Sequence, residues 1–198
     1  MRYVLFILFF SAIVACRRTP TSLPPDGLAR YCNDPRHGLV QEGKEENWKV
    51  RLAYRPSSLL IAQRYPEKTL PRSEYERMHE YLDDYMHFTL KVNRKDQDVR
   101  SYLKQRCNNF DSLWNTLLFG RASDFKLVSD DKVVPCASYE IENRGNVDPA
   151  LVINLSFQNP GDGDVSFVWR DSLFTLKENV FHFEGLDDTP ALKTTTSN

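Results

Sequence analysis

The chain has 198 residues, a formal net charge of −1 and 12 % aromatic residues. That length fits one domain with room for a sizeable core, and so many aromatics exclude a disordered chain. Near-neutral charge excludes broad electrostatic binding to nucleic acid or to an anionic membrane face.

The first element is apolar. Arg2 supplies a short positive region, and Val4 to Val14 form an almost unbroken apolar run. That run is shorter than the roughly 20 residues of a membrane span, and it fits the hydrophobic segment of a signal peptide. An ordinary secretory cut after Ala15 or Ala12 would place Ile13 or Phe10 where a small residue is required. Ile13-Val14-Ala15-Cys16 instead resembles the lipobox of bacterial lipoproteins: aliphatic, tolerant, small, then cysteine. The resemblance covers residues 1–16. It implies cleavage before Cys16, with diacylglycerol in thioether linkage to that sulfur and, often, a further acyl chain on the new amino terminus. Each buried methylene contributes roughly 0.8 kcal/mol, so two or three acyl chains hold where one holds only marginally. Cleavage removes one charged residue, Arg2, and moves the net charge from −1 to −2. In many lipoproteins an Asp after the cysteine retains the protein at the inner membrane, and in Bacteroidota-type export an acidic cluster marks the cell surface. Arg17-Arg18 is neither, which points to the outer membrane and its periplasmic face.

Residues 16–30 contain Pro20, Pro24 and Pro25 among Thr, Ser and Gly, which predicts an extended, lipidated tether. At about 3.1 Å per residue it would reach roughly 40 Å. The folded domain is expected over 31–190. Trp48 to Tyr54 alternates and predicts a strand. Arg55-Pro56-Ser57 predicts a turn, with Ser58 to Arg64 returning as a partner strand. Ser73-x-x-Glu76, preceded by Pro71, is a capping-box signature. It opens a helix whose stripe is Tyr75, Met78, Leu82, Tyr85 and Met86. Phe88 to Val92 suits a short strand. Asp98 to Cys107 and Phe110 to Phe119 read as helices, the second burying Phe110, Leu113, Trp114, Leu117 and Leu118 and stopped by Gly120.

The remainder alternates as β. Phe125 to Val128 and Val133 to Glu142 flank a turn at 129–132. Leu151 to Phe157 and Val165 to Trp169 are the clearest strands, with QNPGDGD between them as a hairpin loop. Leu173 to Leu176 and Val180 to Phe183 suggest another hairpin, and residues 191–198 a frayed tail. Strands, then helices, then a run of strands predict an α+β fold, an antiparallel sheet with two or three helices packed on one face.

Several residues carry possible chemistry. His79, Asp83 and His87 recur every four residues, and adjacent members could share a metal as i and i+4 ligands. The outer two lie about 12 Å apart along a helix, and the string is not H-E-x-x-H, so a solvated face with one boundary histidine is the favoured reading and a metal the weaker one. Asp162 and Asp164 lack the further oxygen ligands and closing Glu of a calcium loop. Cys32, Cys107 and Cys136 remain after the anchor cysteine; one disulfide plus one buried thiol is the simplest arrangement, with Cys107 and Cys136 as a candidate pair. Asp111-Ser112-Leu113 and Asp171-Ser172-Leu173 resemble the O-glycan acceptor of exported Bacteroidota proteins; a helix start and a turn explain them as well. No nucleophile elbow, phosphate loop or dinucleotide fingerprint is present, and no cofactor is expected.

These residues favour a membrane-anchored envelope lipoprotein acting as a binding or assembly-accessory module. Its expected partners are the membrane, through Cys16, and an envelope protein, not nucleic acid. The alternatives are a metal-assisted envelope hydrolase and a passive structural or surface lipoprotein.

Overall fold

The computed structural model describes residues 19–66, 69–130, 132–142, 149–174 and 177–195; Cys16 and the leader lie outside them. Eight strands form one antiparallel sheet: β2 (Val40–Glu45), β3 (Trp48–Tyr54), β4 (Tyr85–Arg94), β5 (Phe125–Ser129), β6 (Lys132–Ile141), β7 (Leu151–Gln158), β8 (Val165–Arg170) and β9 (Glu178–Phe183). Their spatial order is β2-β3-β4-β7-β6-β5-β8-β9. A separate parallel pair joins β1 (Ser22–Leu23) to β10 (Ala191–Leu192).

The sheet curls into a nearly closed barrel because one face of each strand is apolar and must turn inward. Leu52, Phe88, Leu90, Leu127, Ile153, Phe157, Phe167 and Phe183 are fully buried there. Phe88 meets Phe157, Phe167 and Phe183 at ring-centre separations of 5.9, 5.3 and 5.5 Å. Each such ring contributes roughly 1.5–3 kcal/mol by burial. The interior is thus packed with side chains. β6 makes the corner: Lys132–Pro135 pairs with β5, Cys136–Ile141 with β7, and its register shifts between Cys136 and Ser138. Bulges of this kind bend a strand from one partner to the next. The edge strands β2 and β9 face each other across a seam. Side chains bridge it: Gln41 donates to the His182 carbonyl and Lys177 pairs with Glu45. Gly43 on β2 lies against the Phe181 ring, which a Cβ there would meet at 3.9 Å, an ordinary contact.

Among the described residues there are five α-helices, and they divide between the barrel's two ends. At one end lie α1 (Pro25–Asn33), α2 (Ser57–Arg64) and α3 (Arg72–Asp83); at the other, α4 (Val99–Arg106) and α5 (Phe110–Phe119). The α+β class and the antiparallel sheet stand. The expectation of two or three helices on one face does not, because a curled sheet leaves two open ends that both need covering.

Other local expectations are corrected. The extended tether does not run to Arg30. Pro25 occupies the first turn of α1, where a missing N–H costs nothing, and Leu28 and Cys32 are buried. Nor does fraying begin at 191, since the Lys193 N–H donates to the Leu23 carbonyl and Thr195 bonds Leu70. Ser58–Arg64 is helix, not strand. With Leu59, Ile61 and Ala62 buried, α2 shows no alternation to separate the two forms. α3 opens one residue before the expected box, with Pro71 at its cap, and Glu76 pairs with Arg72 instead. It ends at Asp83, so Tyr85 and Met86 belong to β4. QNPGDGD is not a hairpin loop: β7 pairs with β4 and β6, and β8 pairs with β5 and β9. The hairpin partner of β9 is β8, not Leu173–Leu176, of which 175 and 176 lie outside the described residues.

Candidate functional site

A cleft of about 860 Å3 opens at the α4–α5 end, between the amino-terminal turns of both helices and the β6–β7 connection. It gathers ionisable groups from three elements: Asp98, Arg100 and Lys104 at α4, Asp111 on α5, and Glu142 after β6. α4 is set by its cap and its foot. Asp98 accepts a hydrogen bond from the Ser101 N–H at 2.7 Å, and the Val99 N–H donates to the Pro149 carbonyl at 3.1 Å. The hydrogen bonds from the Ser101 N–H and hydroxyl hold the Asp98 carboxyl below the usual carboxylate range. α5 is capped by Asn109, which accepts from the Ser112 N–H at 3.1 Å. One wall is aromatic. Phe110 and Trp114 stack at 5.7 Å, and the Arg100 guanidinium lies over them, 5.0 Å from the Trp114 ring centre and 5.7 Å from Phe110. Stacked this way, a guanidinium keeps its edge N–H groups for a ligand.

The cleft offers charges of both signs beside an aromatic wall. Its lining has one hydroxyl, Ser101, and neither histidine nor cysteine. Its possible proton acceptors are the carboxylates Asp98, Asp111 and Glu142, and Asp98 is hydrogen-bonded to Ser101.

The predicted metal ligands are not brought together. His79 Nδ1 lies 3.1 Å from Asp83 Oδ2 across one turn of α3. His87 has left the helix; it lies on β4, with Nδ1 2.9 Å from Ser156 Oγ. Among the described residues no three His, Cys, Asp or Glu side chains converge as a metal would need. Asp83 has a structural task instead. It accepts from the Ser57 hydroxyl at 2.7 Å at the start of α2, and its carbonyl accepts from Asn159 at 3.0 Å. It thus ties two helices to the β7–β8 loop. Ser57–Asp83–His79 is no catalytic triad, since the carboxylate sits where the imidazole must be. The cross-strand pairs His87–Ser156 and His182–Ser166 likewise carry no carboxylate hydrogen-bonded to the second ring nitrogen.

Cys32, Cys107 and Cys136 are free thiols, so the candidate Cys107–Cys136 bridge is absent. Cys107 contacts the Asn109 carbonyl, and Cys136 the Ser138 carbonyl across the bulge. Burial pushes the Cys32 and Cys136 thiols up to about 11, which keeps both protonated and unreactive near neutrality. Asp162 and Asp164 lie in the β7–β8 loop, where Gly161 and Gly163 take the left-handed φ values 106° and 123°. Asp171 is buried and accepts from the Leu173 and Phe174 N–H groups at 2.8 and 2.9 Å. Asp111 sits in the first turn of α5. Both Asp-Ser-Leu strings therefore have local structural reasons.

Sequence reasoning missed Arg100, Lys104 and Glu142. The available signal was Arg100 placed ten residues before Phe110 and fourteen before Trp114, but only the fold stacks them.

No family model and no curated protein matches the chain. Among solved structures it is similar to a DUF4426 family protein from Pseudomonas aeruginosa PAO1, at 10 % identity and a TM-score of 0.38. That likeness covers 72 % of this chain and 92 % of the other. So distant a likeness carries no functional argument.

Proposed function

We propose that the chain is a lipid-anchored lipoprotein of the cell envelope, seated on the periplasmic face of the outer membrane, that uses its α4–α5 cleft to bind a partner. The carrying observation is the leader that ends in Ile13-Val14-Ala15-Cys16. The barrel supports the binding role: its interior is filled with phenylalanine, so recognition falls to the surface. The cleft supports it too, since it combines an aromatic wall with both signs of charge. The anchored segment enters at the α1–α3 end, so the cleft at the opposite end of the barrel is turned away from the lipid.

The test is mass analysis of protein from its native host. Its first peptide should begin at acylated Cys16, and Cys16→Ala should leave the protein off the membrane. A second readout is thiol counting after unfolding under reducing conditions. The chain has four cysteines, so acylated protein should yield three thiols and unmodified protein four. An intact leader or an unmodified Cys16 sinks the anchor. A photocrosslinker at Lys104 that captures the same species from wild type and from Arg100→Glu sinks the cleft.

A further inference from the structure

A second concavity lies at the other end of the molecule. The groove between α2 and α3, about 400 Å3, is floored by Leu60, Ile61, Met78 and Leu82. Its rim carries Arg64, Arg77 and Tyr81, and among the described residues no carboxylate lines it. Tyr81 is 76 % exposed, although its neighbours are apolar. We infer that this groove is the face on which the domain rests against the lipid headgroup layer, with Arg64 and Arg77 pairing with lipid phosphates. The inference rests on the lipoprotein reading above and gives that anchor an orientation.

The length of the leash decides the occupant. Ser22 is already paired with Ala191. It stands six positions after Cys16, and that stretch spans at most roughly 20 Å when fully extended. The same short sheet is fastened to both groove helices. Ser58 on α2 donates to the Pro190 carbonyl at 3.1 Å. Pro71, at the cap of α3, bridges Thr195, and the Thr195 N–H donates to the Leu70 carbonyl at 3.0 Å. A lipid on Cys16 therefore holds the α1–α3 end, and no other, close to the bilayer. The groove is what that end offers to an interface. Tyrosine and arginine settle there because each has an apolar body and a polar head.

Net charge near neutral means that the patch would not recruit the protein unaided. A leash of this length makes the second contact intramolecular, and a weak patch then suffices. The groove is a poor seat for an acyl chain drawn out of the bilayer, because two guanidinium groups stand at its rim. It suits headgroups.

The experiment uses full-length acylated protein on vesicles of phosphatidylglycerol and phosphatidylcholine, with hydroxyl-radical footprinting. Phe119, 85 % exposed at the opposite end, is the internal control. Tyr81 and Met78 should be protected several-fold by vesicles while Phe119 is unchanged. The Arg64→Glu, Arg77→Glu double variant should lose that protection yet still float with the vesicles. Both arginines are exposed, and an unchanged melting curve would confirm folding. Flotation with Tyr81 as reactive as in detergent overturns the groove and spares the anchor. Protection of Phe119 instead overturns the orientation. Protection in detergent without vesicles assigns the groove to a second copy of the chain and overturns the lipid assignment. Absence of flotation by the acylated protein overturns both readings.

Discussion

At the α1–α3 end, α2 buries Leu59, Ile61 and Ala62 against the barrel and its neighbours, while at the α4–α5 end α5 fully buries Leu117 and leaves Phe110, Leu113, Trp114 and Leu118 half-covered. α2 is welded to the core. α5 is docked through a single buried leucine, the hydrogen bond from Tyr139 Oη to the Leu117 carbonyl at 2.6 Å, and the aromatic wall, while its neighbour α4 buries Val99, Tyr102 and Leu103. A helix that spends its apolar residues on the core has few left for a ligand. A helix that keeps them half-exposed is less stable and more available. This difference is why the proposed binding site is the cleft at α4–α5.

The largest test of that contrast is a pair of truncations. Leu59→Ala should destabilise by about 2–5 kcal/mol, the range for a buried leucine whose cavity cannot fully collapse. Leu113→Ala, in a half-buried site, should cost about half as much or less. Urea unfolding of both variants checks this. Equal costs would mean that α5 is as firmly packed as α2.

A smaller effect is expected at the cap of α4. Asp98→Ala removes the bond to the Ser101 N–H and should cost about 1 kcal/mol, seen as faster amide exchange over 99–106 with little change in α2. The same carboxylate has a pH signature. Its folded pKa is depressed, so its contribution is present above the ordinary aspartate value, near 3.9, and is lost as pH falls through the folded value. Loss of α4 protection already at neutral pH would contradict that assignment.

Smaller again is Arg100→Ala. A guanidinium over two partly exposed rings is worth about 0.5–1 kcal/mol. Arg100→Lys keeps the charge but not the planar stack, so it should recover only part of the loss. Near-ultraviolet circular dichroism of Trp114 should change in Ala and Lys alike. A full recovery by Lys would reduce the stack to a point charge.

The same contrast explains what could be read from the chain. α4 and α5 were legible because Asp98, Asn109 and Gly120 punctuate them and their apolar residues recur at helical spacing. β7 and β8 were legible from alternation. α2 was not, because an eight-residue helix buried on most sides has neither periodicity to display. The start of α1 was hidden by Pro24-Pro25, which reads as extended chain and here supplies the cap and first residue of a helix. Strand partners were illegible for a different reason. The β5–β6 hairpin inserts between β7 and β8, and no local pattern across Gln158 to Asp164 records that insertion. For the site, the aromatic wall was visible as a buried face. Its exposure on one side, and Arg100 lying over it, arise from packing of α4 against α5. His87 shows the converse error: a four-residue spacing carried a helix four residues too far, and the residue landed on a strand.

That placement gives His87 the smallest predicted effect, a single proton. On β4 the ring is largely buried, bonded through Nδ1 to Ser156, with Nε2 enclosed and without a hydrogen bond. Burial drives its pKa below the ordinary value, against weaker pulls in the other direction from the Leu82 carbonyl and the Asp83 charge. The unfolded chain therefore binds a proton near pH 6.5 that the folded chain refuses until lower pH. Above that value both states are neutral, and the histidine does not affect stability. Between it and the folded pKa, stability falls as pH falls; below the folded pKa the difference levels off. Urea midpoints measured from roughly pH 7 down to pH 5 should drift downward in the wild type, and His87→Gln should flatten that drift. A drift that survives the substitution would assign the proton to another group. It would also remove the last reason to treat His87 differently from a buried neutral side chain.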